Sequence, residues 1–473
     1  MSRLYTHYIL PYRKILILFT IALAARLGVF IGLFIWFTVL GHTPPDTNYP
    51  VFNGDSKSYF LLAQNLLVNH EYSLSAAAPF IPENFRLPGY PFFLYLLGSA
   101  GLSMVLITIV QILLSSATVV LTYLIGKKFL SEKVAFVAAL LLCVEPTTVF
   151  FSTFIMSDTL FVFTLILSIY LFLYKTTSLY TNILLACTSG LLFGATILIR
   201  VIAQYLIPCL AIAYIVLHKK TLRPLSHTAL YLSVFTISAA LVVLPWCLRN
   251  YALYGVAEAS ATPYINFTQY NLPLFYAHVN TVPLSEASAV YTAPIPVPPT
   301  SLRFPSLEHK AIFEKMMHDS LEGRYLAYAQ FHLIKTIPFF ITDGVRDMNR
   351  ITGIIQIPPD QTNFSDMLLQ RAWGDMFYYF SHPSINLSML LIGSTPWIII
   401  SLLWLVALGH TLYARPTAFW FILFASGMVL YFALLTGPVT EHRYRMPAAP
   451  FMLLLATQGA SIVWHILRRS KLQ

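Results

Sequence analysis

Long apolar segments recur along the whole chain and constrain its fold more than any other feature. An α-helix needs about 20 mostly apolar residues to cross the hydrocarbon core of a bilayer. Hydrophobic residues make up 57% of the 473 residues and charged residues only 10%, whereas about a quarter of a soluble domain is charged. We therefore predict an all-α polytopic membrane protein. The ten predicted spans cover about 15–40, 102–126, 134–150, 158–174, 181–199, 201–217, 228–246, 388–409, 417–436 and 447–467.

The distribution of basic residues predicts the orientation of these spans. A net charge of +10 would suit a nucleic-acid partner, but lysine and arginine cluster at alternate ends of the apolar segments. This bias marks the cytoplasmic side of a membrane protein. We therefore predict that both termini are cytoplasmic, that the bilayer is a partner and that nucleic acid is not. The clusters include Arg13, Lys14, Lys127, Lys128, Lys175, Arg468 and Arg469.

Composition divides the chain into three regions. An N-terminal transmembrane module is predicted over 1–255, with an extracytoplasmic loop at 41–101. Residues 256–385 contain few long apolar runs and several prolines, which predicts a small extracytoplasmic domain. The remaining transmembrane helices lie within 386–473.

The loop at 41–101 is predicted to contain helices that lie along the membrane surface. Between Asp55 and His70, apolar residues recur at spacings of three and one, which places them on one face of a helix. Polar side chains occupy the other face, as in a helix at a membrane interface. A second short helix is predicted to begin at Pro91, because proline suits the first turn of a helix.

Three carboxylates are predicted on the extracytoplasmic side, at Asp55, Glu145 and Asp158. An ionised carboxylate can accept a proton from a reacting hydroxyl, and paired carboxylates in a pocket at the membrane edge favour a functional interpretation. Two structural alternatives remain open. Asp55 follows a glycine at a predicted helix start, as a helix N-cap would, and Asp158 lies in a predicted first turn, where a negative charge stabilises the helix.

Five arginines are predicted on the same side, against the orientation rule for basic residues. Guanidinium groups bind phosphate oxygens in a bidentate geometry and stay charged, so an anionic lipid phosphate would explain them. The alternative for each is snorkelling to the interface or pairing with acids of the extracytoplasmic domain. The five are Arg86, Arg200, Arg249, Arg443 and Arg445. Arg26, within the first span, is expected either to pair with an acid of a neighbouring span or to lie near the phosphate.

Three functional classes fit such a chain: an enzyme, a transporter or lipid flippase, and a non-catalytic lipid-binding subunit. Transporters tend to carry inverted repeats and paired broken helices at the midplane. Here the polar residues gather on one face beside an extracytoplasmic domain, which favours an enzyme. The sequence contains no Walker loop, dinucleotide fingerprint, His-Glu-x-x-His or Asp-x-Asp motif, so nucleotide and metal sites gain no support.

Several short motifs follow one another in a recognisable order. They are Arg26 in the first span, Asp55 with Tyr59, Arg86-Leu87-Pro88-Gly89-Tyr90-Pro91, Glu145-Pro146, Ser157-Asp158, Pro245-Trp246 with Arg249-Asn250, and Arg443-Tyr444-Arg445-Met446-Pro447. This order resembles the membrane glycosyltransferases of the GT-C fold, and most of all the protein O-mannosyltransferase and aminoarabinose-transferase-like enzymes. The resemblance covers 1–255 and 437–467 and leaves 256–385 unmatched.

The resemblance implies a GT-C bundle of about ten transmembrane helices in the bacterial inner membrane, with the active site on the extracytoplasmic face. It implies transfer of one sugar, with inversion, from a polyprenyl-phosphate donor to a protein, lipid or glycan acceptor. Asp55 would be the catalytic carboxylate, and Asp158 a second catalytic or acceptor-binding acid. The donor phosphate would be held by Arg86, Arg249, Arg443 and Arg445. The pocket would be lined by Tyr59, Tyr90, Glu145, Arg200 and Tyr444.

One position departs from the family. Relatives often carry a second acid directly after the catalytic aspartate, where this chain has Ser56. Because the chain also lacks an Asp-x-Asp pair, we predict a mechanism that needs no cofactor and favour a metal-independent reaction over one with a divalent metal.

Overall fold

A computed structural model describes residues 12–42, 48–51, 54–218, 225–295, 306–342, 344–354, 364–382, 384–439 and 441–470. These residues are predominantly helical. They contain no β-strand, only two isolated bridges between short pieces of extended chain.

The first ten helices include the two short helices of the loop at 41–101 and much of the membrane bundle. They are α1 (Arg13–Phe34), α2 (Asp55–Val68), α3 (Gly89–Ser99), α4 (Met104–Phe129), α5 (Glu132–Cys143), α6 (Pro146–Phe151), α7 (Ser157–Leu173), α8 (Leu179–Ile199), α9 (Leu206–His218) and α10 (Leu225–Tyr254). A π-helical turn, Ile35–Val39, extends α1, and a 3-10 helix, Val201–Tyr205, precedes α9.

The remaining helices form the intervening helical region and the C-terminal part of the bundle. They are α11 (Thr262–Asn266), α12 (Leu272–Asn280), α13 (Leu284–Thr292), α14 (Lys310–Leu321), α15 (Tyr325–Thr336), α16 (Pro338–Ile341), α17 (Val345–Thr352), α18 (Phe364–Leu369), α19 (Trp373–Ser381), α20 (Ile385–Ala414), α21 (Phe419–Thr436) and α22 (Ala449–Ser470). A π-helix, Phe267–Asn271, joins α11 to α12, and 3-10 helices lie at Leu307–His309 and His442–Arg445.

Among the described residues, seven helices are long and apolar enough to cross a membrane. They are Arg13–Val39, Met104–Phe129, Leu179–Ile199, Ser226–Tyr254, Leu387–Ala414, Phe419–Thr436 and Ala449–Ser470. Two predicted spans correspond to shorter apolar helices, Ser157–Leu173 and Val201–Leu217. The prediction of an all-α polytopic membrane protein is confirmed.

Glycines bring two pairs of long helices into close contact. A Cβ atom added to Gly190 of α8 would lie 2.3 Å from the carbonyl oxygen of Phe235 in α10. One added to Gly459 of α22 would lie 1.9 Å from that of Leu403 in α20. Small residues commonly let membrane helices approach each other in this way, and these two helix pairs fix much of the bundle.

The third predicted span is not one helix. α5 ends at Cys143 and α6 begins at Pro146, so the prediction of a continuous helix over 134–150 is wrong. Arg26, with only 1% of its surface exposed, donates hydrogen bonds to the Cys143 carbonyl at 3.0 Å and to Ser115 Oγ at 2.7 Å. Glu145 is the N-cap of α6. A cation at the end of one helix and an anion at the start of the next stabilise the break.

The two ends of the bundle differ in charge. Glu132 pairs with Lys14 at 3.0 Å and with Lys127 at 3.8 Å, and we call this the basic end. The Lys128 ammonium donates to the Leu173 carbonyl, so α7 also ends there. The 17 residues of α7 span about 25 Å, which places Asp158 near the opposite end. We call that opposite end, which carries α2 and α3, the loop end.

The region between the two parts of the bundle packs on the loop that precedes α3. Ala261, Ile265, Leu307 and Phe313 form a small buried core together with Phe85. Because Phe85 is the neighbour of Arg86, this region helps to hold the segment that brings Arg86 to the site.

Candidate active site

Two arginines converge on Asp55 at the loop end. Arg86 Nη2 lies 2.5 Å from Asp55 Oδ1, and Arg443 Nη1 lies 3.0 Å from Asp55 Oδ2. Asp55 is the first residue of α2, whose N-cap is Gly54, and no side-chain cap hydrogen bond forms there. The structure therefore shows ion pairing and not the N-cap that the local sequence allowed.

The arginine pair sets the charge state of Asp55. Burial alone would raise the pKa of this carboxyl, but Arg86 and Arg443 outweigh it and hold the pKa well below its usual range. The carboxylate is therefore ionised across the physiological pH range. While both guanidinium groups hold it, it is also a weak proton acceptor.

The lowered pKa of Asp55 predicts how stability depends on pH. A carboxyl whose folded pKa is depressed contributes stability that is present above its unfolded pKa of about 3.9 and is lost as the pH falls towards the folded value. We expect the melting temperature of the wild type to fall more steeply below pH 4 than that of Asp55→Asn. Thermal unfolding of the detergent-solubilised proteins between pH 6 and pH 3 measures the difference. Parallel curves would contradict it.

Asp158 lies beside the first cluster in a second charged group. Its side chain is 1% exposed, and Arg200 Nη2 lies 2.7 Å from Asp158 Oδ2. Arg200 follows the end of α8, and its Nε donates to Ser157 Oγ at 3.2 Å. The hydroxyls of Ser157 and Tyr59 are 3.1 Å apart, so a hydrogen-bond chain links α7 to α2.

Tyr59 also connects the two charged groups. The Arg86 guanidinium lies 5.2 Å from the Tyr59 ring centroid, within the range of a cation–π interaction. The Tyr90 ring meets the Tyr59 ring edge-on at 4.9 Å. The Tyr90 hydroxyl donates to Gln111 Oε1 at 2.6 Å, which anchors this aromatic pair to α4.

Removal of the Arg200 guanidinium is expected to destabilise the fold. Arg200→Met would leave the buried Asp158 carboxylate without its cation, and breaking a buried ion pair in this way commonly costs about 3–5 kcal/mol. We expect a lower melting temperature in detergent. The double variant Arg200→Met/Asp158→Asn should recover part of the loss, since it removes the unpaired charge. A single variant as stable as the wild type would contradict the prediction.

The turn that carries Arg86 is shaped by Glu83, which the sequence analysis missed. Glu83 Oε1 accepts hydrogen bonds from the backbone N–H groups of Asn84, Phe85 and Arg86 at 3.0, 2.6 and 3.2 Å. Burial raises the pKa of Glu83, and these bonds and Arg86 oppose that rise in part. The sequence did contain one indication of this role, because Glu83 lies three residues before the candidate arginine Arg86.

Gly89 explains the glycine of the Arg86–Pro91 motif. A Cβ at this position would lie 2.7 Å from the backbone carbonyl group of Leu198 and 2.8 Å from the backbone nitrogen of Ile199. No larger side chain fits without displacing the end of α8. The start of α3 is thereby held against the segment that presents Arg200.

Arg443 is held by its own neighbours as well as by Asp55. Its Nε lies 2.5 Å from Glu441 Oε2, and its guanidinium lies 5.2 Å from the Tyr444 ring centroid. Tyr444 thus lies beside Arg443. Glu441, two residues before Arg443, was not predicted.

Three predicted site residues lie outside the charged cluster around Asp55. Arg249 donates to the Glu83 carbonyl at 2.8 Å and stacks on Trp246 at 4.4 Å. Both carboxylate oxygens of Glu145 accept backbone N–H groups at the start of α6, at 3.0 and 2.7 Å. Arg445 donates to the carbonyls of Phe339 and Thr342 and lies 3.6 Å from the Trp397 ring centroid. In this structure all three support the surrounding backbone.

The part of the chain that the structure describes contains no group of three His, Cys, Asp or Glu side chains placed to hold a metal ion. At the site itself, a guanidinium group already contacts each oxygen of Asp55. The guanidinium groups at this position donate hydrogen bonds, and they suit an anion better than a cation.

The sequence of residues 88–246 matches the model of the family described as dolichyl-phosphate-mannose-protein mannosyltransferase. This segment contains Gly89, Asp158 and Arg200, but not Asp55 or Arg443. A comparison with curated proteins finds none that matches the chain in sequence.

Comparison with solved structures extends over nearly the whole chain. The oligosaccharyltransferase of Archaeoglobus fulgidus in its apo form has a TM-score of 0.54 at 13% identity, covering 98% of this chain and 52% of that one. The same enzyme tethered to an acceptor peptide with the NVT sequon gives a TM-score of 0.53 at 14% identity, covering 98% and 51%. This chain therefore spans about half the length of these structures. The chain is a polytopic membrane protein with the GT-C fold, and residues 88–246 carry the sequence pattern of the mannosyltransferase family.

Proposed function

We propose that this protein is a membrane glycosyltransferase that moves one sugar from a polyprenyl-phosphate donor to an acceptor on the extracytoplasmic face. One observation carries the proposal: Asp55 lies between Arg86 and Arg443 at the loop end of the bundle. Glycosyl transfer from a phosphate donor needs a group that orients or deprotonates a hydroxyl and cations that hold the phosphate. This cluster contains both.

The donor class is supported by the family match and by the charges. The matching family is named for a sugar carried on a lipid phosphate. Arg86 and Arg443 present guanidinium groups, which suit phosphate oxygens, and both are buried enough to act in a medium of low polarity, with side chains 13% and 15% exposed. The isoprenoid tail would lie in the bilayer beside the spans.

The contacts of Asp55 support a mechanism in which binding of the donor phosphate makes Asp55 a better proton acceptor. Each oxygen of Asp55 is held by a different guanidinium group, which keeps the pKa of the carboxyl low. A donor phosphate would compete for the same two arginines. As Arg86 and Arg443 turn towards the phosphate, the carboxylate regains proton affinity and becomes able to accept a hydroxyl proton.

The bond changes then balance. The acceptor oxygen forms a bond to C1 of the sugar on the face opposite the phosphate, and the bond from C1 to the phosphate oxygen breaks with its electron pair on that oxygen. The phosphodiester monoanion becomes a phosphate monoester dianion, whose added charge Arg86 and Arg443 stabilise. The acceptor proton passes to Asp55 and from there to solvent. Attack from the opposite face gives inversion.

The other predicted residues take supporting roles in this proposal. Asp158 is almost fully buried against Arg200, so it positions that guanidinium group next to Ser157 and Tyr59. Arg249 holds the backbone before Arg86, and Arg445 ties the 3-10 helix that carries Arg443 to the carbonyls of Phe339 and Thr342. Charge neutralisation by arginine would make the reaction metal-independent.

The test is turnover of defined donors in proteoliposomes. The purified protein is incubated with a panel of labelled polyprenyl-phosphate hexoses and pentoses and with candidate protein, lipid and glycan acceptors. We expect release of polyprenyl phosphate that depends on both protein and acceptor. Arg443→Gln should lower turnover at least tenfold, whereas the matched variant Arg468→Gln, at the exposed end of α22, should leave turnover unchanged.

Two outcomes would overturn the proposal. Failure of the folded protein to bind or turn over any lipid-phosphate sugar would exclude the donor class. Movement of the intact donor across the bilayer, without loss of its sugar, would instead identify a flippase.

A further inference from the structure

One short helix outside the bundle exposes an aromatic stripe that the proposed reaction does not use. In α19, Trp373, Phe377 and Phe380 are 59%, 77% and 45% exposed, and α19 contains no buried residue. Their spacing of four and three residues places the three rings on one helix face. A group of exposed aromatic rings commonly marks a surface that contacts a membrane, a ligand or another protein.

The opposite face of α19 carries one acid and two tyrosines, Tyr378 and Tyr379. Asp375 lies two residues after Trp373, about 200° around the helix axis from it, and it is exposed. The helix therefore has a face of tryptophan and phenylalanine rings and an opposite face that presents a carboxylate and tyrosine side chains. Helices with this division lie in the plane of a membrane interface, where tryptophan is enriched.

The position of α19 in the chain indicates that lipid covers its aromatic stripe. α19 ends at Ser381, and α20 begins at Ile385. The candidate span Leu387–Ala414 follows within α20. The chain between the two helices is too short to carry α19 more than about 15 Å from the start of α20. The first turns of α20 already present exposed Ile385, Leu391 and Ile392, so the aromatic stripe continues a surface that lies in lipid.

We propose that α19 lies in the interfacial layer of the bilayer at the loop end, with Trp373, Phe377 and Phe380 among phospholipid chains and Asp375 towards water. Since α18 packs against α15, and α15 packs against α21, this contact anchors the helical region between the two parts of the bundle to the membrane surface. The anchor is independent of sugar transfer.

The test is photo-crosslinking in phosphatidylcholine nanodiscs. p-Benzoylphenylalanine is placed at Phe377 in one variant and at Asp375 in a second, matched variant, and lipid adducts are measured by intact-protein mass spectrometry after irradiation. We expect a phospholipid adduct at position 377 that is at least fivefold more abundant than at position 375. Equal yields, no lipid adduct at 377, or crosslinking to a second copy of the chain would overturn the proposal.

A second measurement does not depend on those variants. Fluorescence of the wild type is compared with that of Trp373→Phe in nanodiscs that contain phospholipids brominated near the top of the acyl chains. The difference spectrum reports Trp373, and we expect the bromolipid to quench it by at least half, while aqueous acrylamide quenches it weakly. Strong quenching by acrylamide and none by bromolipid would place the stripe in water and refute the anchor.

Discussion

Asp55→Asn is expected to lower the rate of sugar transfer by about 10²- to 10⁴-fold, the usual effect of removing a general base. Asparagine has nearly the same shape as aspartate, but it cannot take a hydroxyl proton and it carries no charge to hold Arg86 and Arg443 in place. The measurement is release of polyprenyl phosphate per folded protein, using the donor that the panel identifies.

The variant needs a control for stability, because it leaves two guanidinium groups without their shared anion. Asp319→Asn, at an exposed position in α14, makes the same chemical change away from the site and should keep normal turnover. Activity is normalised to the fraction that elutes as a monodisperse peak. Wild-type turnover by a folded Asp55→Asn protein would remove Asp55 from the mechanism.

Gly459→Leu is expected to disrupt the contact between α20 and α22. A Cβ at this position would already lie 1.9 Å from the carbonyl oxygen of Leu403, and a leucine adds three further carbon atoms. Overpacking of this kind costs about 1–3 kcal/mol and sometimes more. Because backbone atoms form the obstacle, we expect the larger cost, seen as a lower melting temperature and aggregation in detergent.

Gly409→Leu provides the matched control, since nothing lies within 4 Å of a Cβ at Gly409, which also belongs to α20. Both variants replace glycine by leucine within a long apolar helix, so the change in helix propensity and hydrophobicity is the same. A difference between their melting temperatures therefore reports the packing of the two sites. Equal melting temperatures for the two variants would show that α22 can shift away from α20 at little cost.

Much of the architecture could be predicted because it depends on local pattern. Apolar length predicts the long spans, and the periodic residues after Asp55 predict α2, which the structure confirms over Asp55–Val68. Counting spans predicts that Asp55, Asp158 and Arg443 lie on one side of the membrane. Their convergence within that side depends on packing and is seen only in the structure.

The choice between Arg443 and Arg445 could not be made from sequence. The two flank Tyr444 in a 3-10 helix, where residues two positions apart point about 240° apart. Only one of them can face Asp55. The structure turns Arg443 to the site and Arg445 towards Trp397, a result that depends on which neighbours each side meets.

The division of the third predicted span had a local signal in Glu145-Pro146, because proline disfavours a helical residue before it and suits the first turn of a new helix. Its apolar residues run on towards Pro146, so hydropathy predicts one helix. At the break, Arg26, more than a hundred residues away in the chain, donates a hydrogen bond to the Cys143 carbonyl. This contact between distant residues could not be predicted from the hydrophobic pattern of 134–150.

The sequence separation of the central ion pair has a consequence for biosynthesis. Asp55 and Arg443 are 388 residues apart, and chains emerge from the ribosome with their N-terminal part first. Most of the later helices are therefore synthesised before Arg443, the second cation that contacts Asp55. Catalytic competence would then appear only after Arg443 has been synthesised, so a polypeptide that stops before this residue would lack the complete charged cluster.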